Sequence, residues 1–201
     1  MKKIKKIIFI RHGKAAMAGQ DHERELDEDG IIQAGSLKKK LIGLGLQNTK
    51  VYSSPFKRAV QTIEPFLTET SDNKATTTSH LEEIHMPKDD KLSKHQIIEK
   101  MWEDESFQVG NGISHLDHFN KIKPFLNEVF EKFKSGNEDI IVITHGVLIG
   151  IILKFFFKIK FGFNDWKKMT MPDIYMLNYD ADNNFIEMKR DNNNIERIFS
   201  I

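Results

Sequence analysis

Hydrophobic residues are distributed along this chain in short uninterrupted runs and in longer helical patterns. The clearest runs are 7–10 and 140–143, each made of four apolar, mostly β-branched residues. Such runs are typical of strands that are buried on both faces of a sheet. The segments 174–179 and 185–188 are expected to be strands around an Asp-Asn-Asn turn. Shorter strand segments are predicted at 51–52 and 76–79.

Apolar positions at helical spacing lie between these strands. Asp27 is a suitable N-cap for a first helix, which Gly43 and Gly45 would end. Ser54 followed by Pro55 is expected to begin a second helix. The apolar positions of the first helix are Ile31, Ala34, Leu37, Leu41 and Leu44. Further helices are predicted near 96–102, from Ser114 to Phe133, and over 147–157.

Strands that alternate with helices predict an α/β fold with a mostly parallel sheet and helices on both faces. The chain of 201 residues contains no internal repeat, low-complexity block or linker. It is therefore predicted to form one domain over 1–201. Residues 84–139, which begin with a charged and aperiodic stretch, are predicted to form a modest insertion or lid outside the core.

Composition and charge exclude several classes of protein. The 30 Lys and Arg residues against 29 Asp and Glu residues leave a net charge of +1, which provides no overall basic field for nucleic acid or anionic lipid. The absence of cysteine excludes a disulfide scaffold, a thiolate zinc site and a cysteine nucleophile. The longest apolar stretch, 140–153, is too short and too polar to span a bilayer. A cytoplasmic protein without nucleic-acid or membrane partners is expected, and its oligomeric state is left open.

One sequence pattern occurs twice: four apolar residues, one polar residue and then His-Gly. It places His12 and His145 directly after the two clearest strands. Open α/β sheets bind ligands at the carboxyl ends of their strands, where these histidines would lie. The glycine after each histidine lets backbone approach a ligand, and Gly146 would also open a helix whose N–H groups favour an anion. A histidine that merely ends a strand is the alternative at either position, and the duplication argues against it.

Two arginines occupy comparable positions. Arg11 precedes His12 and brings a fork of N–H donors that suits the oxygens of a phosphate group. Arg58 would lie in the first turn of the helix after the strand at 51–52. On position alone, an exposed charge on a helix surface is the better interpretation of Arg58. Two arginines and two histidines at strand ends would nevertheless form a cage for a tetrahedral dianion.

Four motifs occur in a fixed order: Arg-His-Gly at 11–13, Ser-Ser-Pro-Phe-Lys-Arg-Ala-Val-Gln-Thr at 53–62, Leu-Glu-Glu at 81–83 and Thr-His-Gly at 144–146. This set resembles the histidine phosphatase superfamily, whose fold is phosphoglycerate mutase-like. The segment 26–34 also resembles the first helix of that family. The resemblance covers residues 4–83 and 113–180. The Arg-His-Gly triplet alone would be weak, whereas the ordered set is specific.

The resemblance implies a mechanism with a covalent intermediate. His12 would attack phosphorus in line and become a phosphohistidine. A neutral imidazole, with an ordinary pKa of about 6.5, is available for this step near neutrality without a metal. Arg11, Arg58 and His145 would hold the phosphoryl oxygens and stabilise the charge of the transition state.

A carboxylic acid would then protonate the leaving oxygen and later activate water. The family spacing favours Glu83 for this role. Glu82 is the alternative, because two neighbouring residues at a strand end point to opposite sides and only one is expected to face the site. No metal and no cofactor is expected, since the sequence lacks thiolates and a His-Glu-x-x-His motif.

Several positions depart from the family pattern. Lys-Ala-Ala at 14–16 stands where many relatives have an acidic residue and then Ser or Thr, which is more similar to short bacterial phosphohistidine phosphatases. Asn-Gly-Ile-Ser stands at 111–114 in place of Gly-Glu-Ser, and Lys121 in place of arginine. These regions contact the substrate beyond its phosphate, so its identity is not specified. Trp102 and Phe107 would either line a lid over the substrate or be exposed contacts of the insertion.

The sequence therefore predicts a metal-independent phosphatase that hydrolyses a phosphomonoester, with a small phosphorylated molecule as substrate. A phosphatase is favoured over a phosphoglycerate mutase-type transferase because the insertion is modest and a mutase must hold a bisphosphorylated intermediate. A protein carrying phosphohistidine is an alternative substrate, which a wide and poorly covered site would favour. A phosphate-binding module without activity is a further alternative, which the presence of all five expected site residues argues against.

Overall fold

The computed structural model describes residues 4–46, 48–70, 74–191 and 196–199. The strands are β1 (Lys5–Arg11), β2 (Lys50–Ser53), β3 (Ala75–Thr77), β4 (Ile140–Thr144), β5 (Asp173–Tyr179), β6 (Phe185–Asp191) and β7 (Glu196–Phe199). The helices are α1 (Glu28–Gly43), α2 (Lys57–Glu69), α3 (Lys94–Glu103), α4 (His115–Ser135), α5 (Gly146–Ile151) and α6 (Phe163–Lys167). Short 3-10 turns lie at Asp21–Glu23 and Ser79–Leu81, and a π-helix at Ile152–Phe156 continues α5.

The strands of the described chain form one sheet in the order β3-β2-β4-β1-β5-β6-β7. The four strands from β3 to β1 are parallel to one another, whereas β5, β6 and β7 each pair antiparallel with their neighbours. The α/β class is confirmed, with the parallel strands grouped in one half of the sheet and an antiparallel edge after β1. The sequence pattern predicted β5 and β6 around their turn but not β7. In the register of β1 with β4, Arg11 lies opposite Thr144, so the chain leaves both strands at the same level.

The arrangement around β1 explains why its apolar run is uninterrupted. Ile8 and Ile10 pack with α1 and α2 on one face of the sheet. Ile7 and Phe9 belong to the core on the other face, with residues of α3, α4 and α5. Since successive residues of a strand point to opposite faces, a strand covered on both sides needs an apolar residue at every position. The prediction of helices on both faces is confirmed.

The predicted insertion over 84–139 does not lie outside this core. α3 buries Ile98 and Met101, and α4 buries Ile122 and Phe133, all in the cluster that includes β1 and β4. These residues recur at helical spacing, and full burial of each contributes about 1.5–3 kcal/mol. α3 and α4 are therefore part of a core layer; of the predicted lid, the loop before α3 and the start of α3 line the cavities near His12. Within the described residues, no helix is both long and apolar enough to cross a membrane.

The helix ends agree with the sequence prediction in one case and differ in another. Asp27 caps α1 by accepting a hydrogen bond from the N–H of Gly30 at 2.8 Å. α2 begins at Lys57 after Phe56, so its predicted start at Ser54 is wrong. The Ser54 hydroxyl instead contacts His145 at 2.8 Å, which leaves it in the site and not at a helix cap. Ile31 is 63% exposed, and the buried face of α1 is formed by Gly30, Ala34, Leu37 and Leu41.

Candidate active site

The two histidines of the duplicated pattern lie side by side. Because β1 and β4 are adjacent and parallel, the ring centroids of His12 and His145 are 5.0 Å apart. The backbone N–H of His12 donates to the carbonyl oxygen of Thr144 at 3.1 Å, which ties the two strand ends together. Both imidazoles are buried. The structure therefore brings together the two histidines that the sequence pattern singles out.

Hydrogen bonds assign the proton on the His12 ring. Arg58 Nε can only donate, and it lies 3.1 Å from His12 Nε2, which must accept. His12 Nδ1 lies 2.7 Å from the carbonyl oxygen of Gly13 and therefore carries the proton. Burial lowers the pKa of His12 to about 3; the bond to Gly13 opposes this shift, while the charges of Arg58 and Arg11 add to it. Nε2 is thus an unprotonated nitrogen near neutral pH.

His145 lies behind these groups and does not form part of the cavity surface. It is fully buried, and its Nδ1 is 3.4 Å from Arg58 Nη2. Since the guanidinium donates, Nδ1 accepts, and His145 Nε2 donates to the Ser54 hydroxyl at 2.8 Å. Burial lowers the pKa of His145 well below its ordinary value, so the ring is neutral. In this structure His145 supports Arg58 and His12 from behind.

Asp21, which no sequence motif indicated, completes the surroundings of Arg58. Arg58 Nη1 donates to the carbonyl oxygen of Asp21, and Nη2 lies 3.3 Å from its carboxylate. Arg24 donates to the same carboxylate at 2.5 Å. Burial acts to raise the pKa of Asp21, but the two arginines outweigh it and hold that pKa below its ordinary value. A phosphoryl group that binds Arg58 therefore competes with a carboxylate already in place.

Arg11 is held by the loop between α6 and β5. Its Nη1 donates to the carbonyl oxygens of Met169 at 3.1 Å and Thr170 at 3.3 Å. The guanidinium also packs on the start of α5, where a Cβ added to Gly146 would lie only 3.1 Å from Arg11 Nε. The glycine predicted to open this helix thus makes room for the arginine. Burial lowers the pKa of Arg11. The ordinary pKa of arginine is so high, however, that the guanidinium stays charged near neutral pH.

A buried ion pair holds this loop in turn. Asp173 accepts from the N–H of Thr170 at 3.0 Å and from Arg190 Nη2 at 2.6 Å. Arg190 Nη2 also donates to the carbonyl oxygen of Lys168 at 2.8 Å. Both charged side chains are almost completely buried. The pair therefore holds the backbone at Lys168 and Thr170, next to the carbonyl groups that bind Arg11.

Of the two candidate acids, Glu83 lies in the cavity that contains His12. This cavity has a volume of about 400 Å³, and Glu82 is not among the residues that line it. Glu82 instead lines an adjoining outer cleft of about 840 Å³, which Glu83 also borders. The N–H of Ile84 donates to Glu83 Oε1 at 3.1 Å. Burial raises the pKa of Glu83, which favours the protonated form that a general acid needs.

The lining of the His12 cavity is partly charged and partly apolar. The charged part is formed by four cationic residues, Arg11, Arg24, Arg58 and Lys94, and two acidic residues, Asp21 and Glu83. The apolar part is formed by Met17, Met86, Ile98, Val147, Trp166 and Met171. Such a lining can bind a phosphate group at one end and a less polar group beside it.

The model of the histidine phosphatase superfamily, branch 1, matches residues 7–192. The chain belongs to the histidine phosphatase superfamily. A curated relative, the 5''-phosphoribostamycin phosphatase of Niallia circulans, is 26% identical over 166 residues, which are 75% of this chain and 78% of the relative. The family and the relatives make the chain a phosphatase of the phosphoglycerate mutase-like type.

Solved structures share the fold of this histidine phosphatase. A mycobacterial glucosyl-3-phosphoglycerate phosphatase is 19% identical, with a TM-score of 0.67 over 88% of this chain and 91% of its own. A phosphoserine phosphatase from Entamoeba histolytica is 18% identical, with a TM-score of 0.69 over 92% of this chain and 96% of its own. At these identities the likeness concerns the fold alone.

In this histidine phosphatase, the tryptophan at the cavity is Trp166 and not Trp102. Trp102 packs against His115 and Phe161, with ring centroids 4.5 Å and 5.5 Å apart, and belongs to the core. Phe107 is partly buried against the same core. Both predicted alternatives for Trp102, a lid residue and an exposed contact, are therefore wrong. Its helical spacing from Ile98 was the signal that could have indicated burial.

The other histidines of the phosphatase are spread over the fold. His115 and His118 are buried in α4, and His80 stacks on Phe125 with ring centroids 5.1 Å apart. His95 lines the His12 cavity. Among the described residues, no group of three or more His, Asp or Glu side chains is placed to hold a metal ion.

Replacing Asp173 with asparagine is expected to reduce both stability and phosphate affinity. Breaking a buried pair leaves Arg190 uncompensated, which lowers the free energy of unfolding by about 3–5 kcal/mol. The Arg11 loop also loses its anchor, so the inhibition constant of inorganic phosphate should rise. Asp191→Asn is the matched control, because its pair with Lys40 is partly exposed and contributes less than about 1 kcal/mol. Denaturant unfolding and phosphate inhibition measure the two effects; Asp173→Asn values equal to those of Asp191→Asn would contradict the role of the pair.

Proposed function

We propose that this phosphatase hydrolyses phosphomonoesters of small molecules through a phosphohistidine on His12. The observation that carries the proposal is the unprotonated Nε2 of His12, held 3.1 Å from Arg58 Nε in a cavity that also contains Arg11 and Glu83. A nucleophile, two cations for the phosphoryl oxygens and a carboxyl group are the parts that two-step phosphoryl transfer requires.

The first step forms a bond between His12 Nε2 and phosphorus and breaks the bond from phosphorus to the ester oxygen. Glu83 gives its proton to that oxygen, so the leaving group departs as a neutral alcohol. Arg11 and Arg58 neutralise the charge on the phosphoryl oxygens, with His145 behind Arg58. In the second step Glu83, now a carboxylate, takes a proton from water while the water oxygen attacks phosphorus. The bond to His12 Nε2 breaks, and phosphate and the original enzyme are regenerated.

Small-molecule substrates are favoured over the alternatives by two observations. The relatives named above are phosphatases, and the names of two of them specify small phosphorylated molecules, phosphoribostamycin and glucosyl-3-phosphoglycerate. The cavity is also walled on one side by α3 and α6, which contribute Ile98 and Trp166. A phosphohistidine-bearing protein and a mutase reaction are the competing hypotheses.

Hydrolysis across a panel of phosphorylated compounds tests this proposal. The panel contains p-nitrophenyl phosphate, 3-phosphoglycerate, sugar phosphates and a phosphohistidine protein. The proposal expects hydrolysis of small esters with release of inorganic phosphate. Rapid dephosphorylation of the protein alone would favour a phosphohistidine protein phosphatase, and transfer of phosphate between positions of phosphoglycerate would favour the mutase. No turnover of any compound would favour a binding module.

The pH profile of kcat/KM is expected to show two enzyme ionisations. Because the pKa of His12 is lowered to about 3, loss of the nucleophile by protonation begins only near that pH and not near 6.5. Glu83 must be protonated, so activity on unactivated esters falls as the pH rises through its raised pKa. The substrate phosphate also ionises, and comparison with Glu83→Gln separates this contribution. The variant should lose the alkaline limb that belongs to Glu83; an unchanged limb would contradict the assignment.

A further inference from the structure

Trp166 lies directly beside the group that is proposed to bind phosphate. It lines the His12 cavity, and its Nε1 and the Nε of Arg11 approach the same point on α5. A Cβ added to Gly146 would lie 3.3 Å from Trp166 Nε1 and 3.1 Å from Arg11 Nε. Because the indole is adjacent to the guanidinium, a group bonded to a phosphate on Arg11 would meet the indole next.

Two further rings hold the indole in place. Phe163 stacks on Trp166, with centroids 5.8 Å apart and planes inclined by 21°. His95, from the first turn of α3, contacts Phe163 at 5.0 Å and Trp166 at 5.8 Å between centroids. His95 and Trp166 both line the cavity. We call His95, Phe163 and Trp166 the ring wall, which joins α3 to α6.

Charged side chains line the cavity beside the ring wall, namely Arg11, Arg24, Arg58 and Lys94 with the acidic residues Asp21 and Glu83. Arg24 is hydrogen-bonded to Asp21, and Lys94 lies close enough to Glu83 to lower its pKa against the dominant effect of burial. Arg11 and Arg58 are assigned to the phosphate. Arg24, Lys94 and Asp21 also line this cavity and can form hydrogen bonds with hydroxyl groups at the edge of a leaving group.

We infer that the leaving group is a sugar ring, which lays one face on Trp166 and directs a hydroxyl group to His95. This inference rests on the proposed function, since it names the alcohol that the phosphatase releases. The apolar C–H face of a sugar ring is attracted to the negative face of an indole. The imidazole of His95 offers a donor and an acceptor for the hydroxyl groups at the ring edge. Met86, Ile98 and Met171 supply the apolar contacts around them.

A matched pair of substrates tests the inference. Glucose 6-phosphate and glucitol 6-phosphate carry the same phosphate on a primary carbon, but only the first is cyclic. The wild-type enzyme should prefer the cyclic ester, and Trp166→Ala should lower kcat/KM for it by about tenfold, as expected for one lost ring contact. The value of kcat/KM for the open-chain ester should fall much less in this variant. Trp166→Phe keeps an aromatic face and should retain most of the preference, and His95→Ala should reduce it.

Fluorescence provides a second readout that does not need turnover. The chain has two tryptophans, and Trp102 is buried in the core away from the cavity lining. Glucose 6-phosphate added to the His12→Ala variant should change the emission of Trp166. The change should be absent in the double variant that carries both His12→Ala and Trp166→Phe. Inorganic phosphate alone should give a smaller change.

The outcomes separate the inference from the proposed function. Hydrolysis of phosphomonoesters with equal rates for the cyclic and open-chain esters, or equal losses in Trp166→Ala, would overturn the sugar-ring inference and leave the phosphatase intact. Preference for an ester with a carboxylate, such as 3-phosphoglycerate, would also overturn it. Failure to hydrolyse any ester, with a normal fluorescence response to the sugar phosphate, would overturn the proposed catalysis and retain the ring site.

Discussion

His12→Ala is expected to lower kcat for any phosphomonoester by about 10⁴-fold or more, because the covalent route is lost when its nucleophile is removed. No other described residue can take over the role of His12 Nε2 as nucleophile. The nearest imidazole, His145, is fully buried behind Arg58. Steady-state kinetics with p-nitrophenyl phosphate and a sugar phosphate measures the loss.

Two controls define this result. His12→Ala should still bind inorganic phosphate, because Arg11 and Arg58 keep their contacts with the loop at 169–170 and with Asp21. His80→Ala is the matched histidine variant, since His80 packs on Phe125 and lines neither the cavity nor the outer cleft. Its kcat should stay near the wild-type value. Substantial activity in folded His12→Ala would remove His12 from the mechanism.

Glu83→Gln is expected to lower kcat/KM for alkyl phosphates by about 10²- to 10⁴-fold, since glutamine cannot protonate the leaving oxygen. With p-nitrophenyl phosphate the leaving group departs without a proton, so kcat/KM, which reports the first step, should change far less. The second step still needs a base, so kcat for p-nitrophenyl phosphate should fall and phosphoenzyme should accumulate.

Glu82→Gln is the matched control, because Glu82 is the neighbouring carboxylate and lines the outer cleft and not the His12 cavity. It should affect both substrates by no more than a few-fold. A large leaving-group-dependent loss in Glu82→Gln with a nearly normal Glu83→Gln would reverse the assignment. Equal losses of kcat/KM for alkyl phosphates and p-nitrophenyl phosphate in Glu83→Gln would show that another residue is the general acid.

The central strands β1 and β4 and the two histidines that follow them could be predicted from the sequence, because burial on both faces leaves a strong pattern. From Ile7 to Ile10 β1 has no position for a polar residue, so the polar residues that follow this run, Arg11 and His12, mark its carboxyl end. The prediction that Arg58 belongs to the site required the resemblance to a family, because its position in a helix is typical of an exposed residue. The structure places its guanidinium against His12.

The residues that sequence reasoning missed act through tertiary contacts. Asp173 and Arg190 are 17 residues apart on paired strands, and a charged residue in a strand ordinarily indicates an exposed face. Asp21 lies in a short turn without periodicity, and only the fold brings it to Arg58. Trp166 belongs to a helix of 5 residues, which is too short for an amphipathic pattern. The sequence therefore predicts the nucleophile better than the walls of its cavity.

The phosphohistidine itself is the most direct measurement of the central claim. Wild-type enzyme and Glu83→Gln are mixed with p-nitrophenyl phosphate, quenched at alkaline pH to preserve the bond between nitrogen and phosphorus, and digested for peptide mass spectrometry. The account predicts phosphate on the peptide that contains His12, more of it in Glu83→Gln, and none in His12→Ala. Phosphate on another residue, or active enzyme that never carries phosphate, would contradict it.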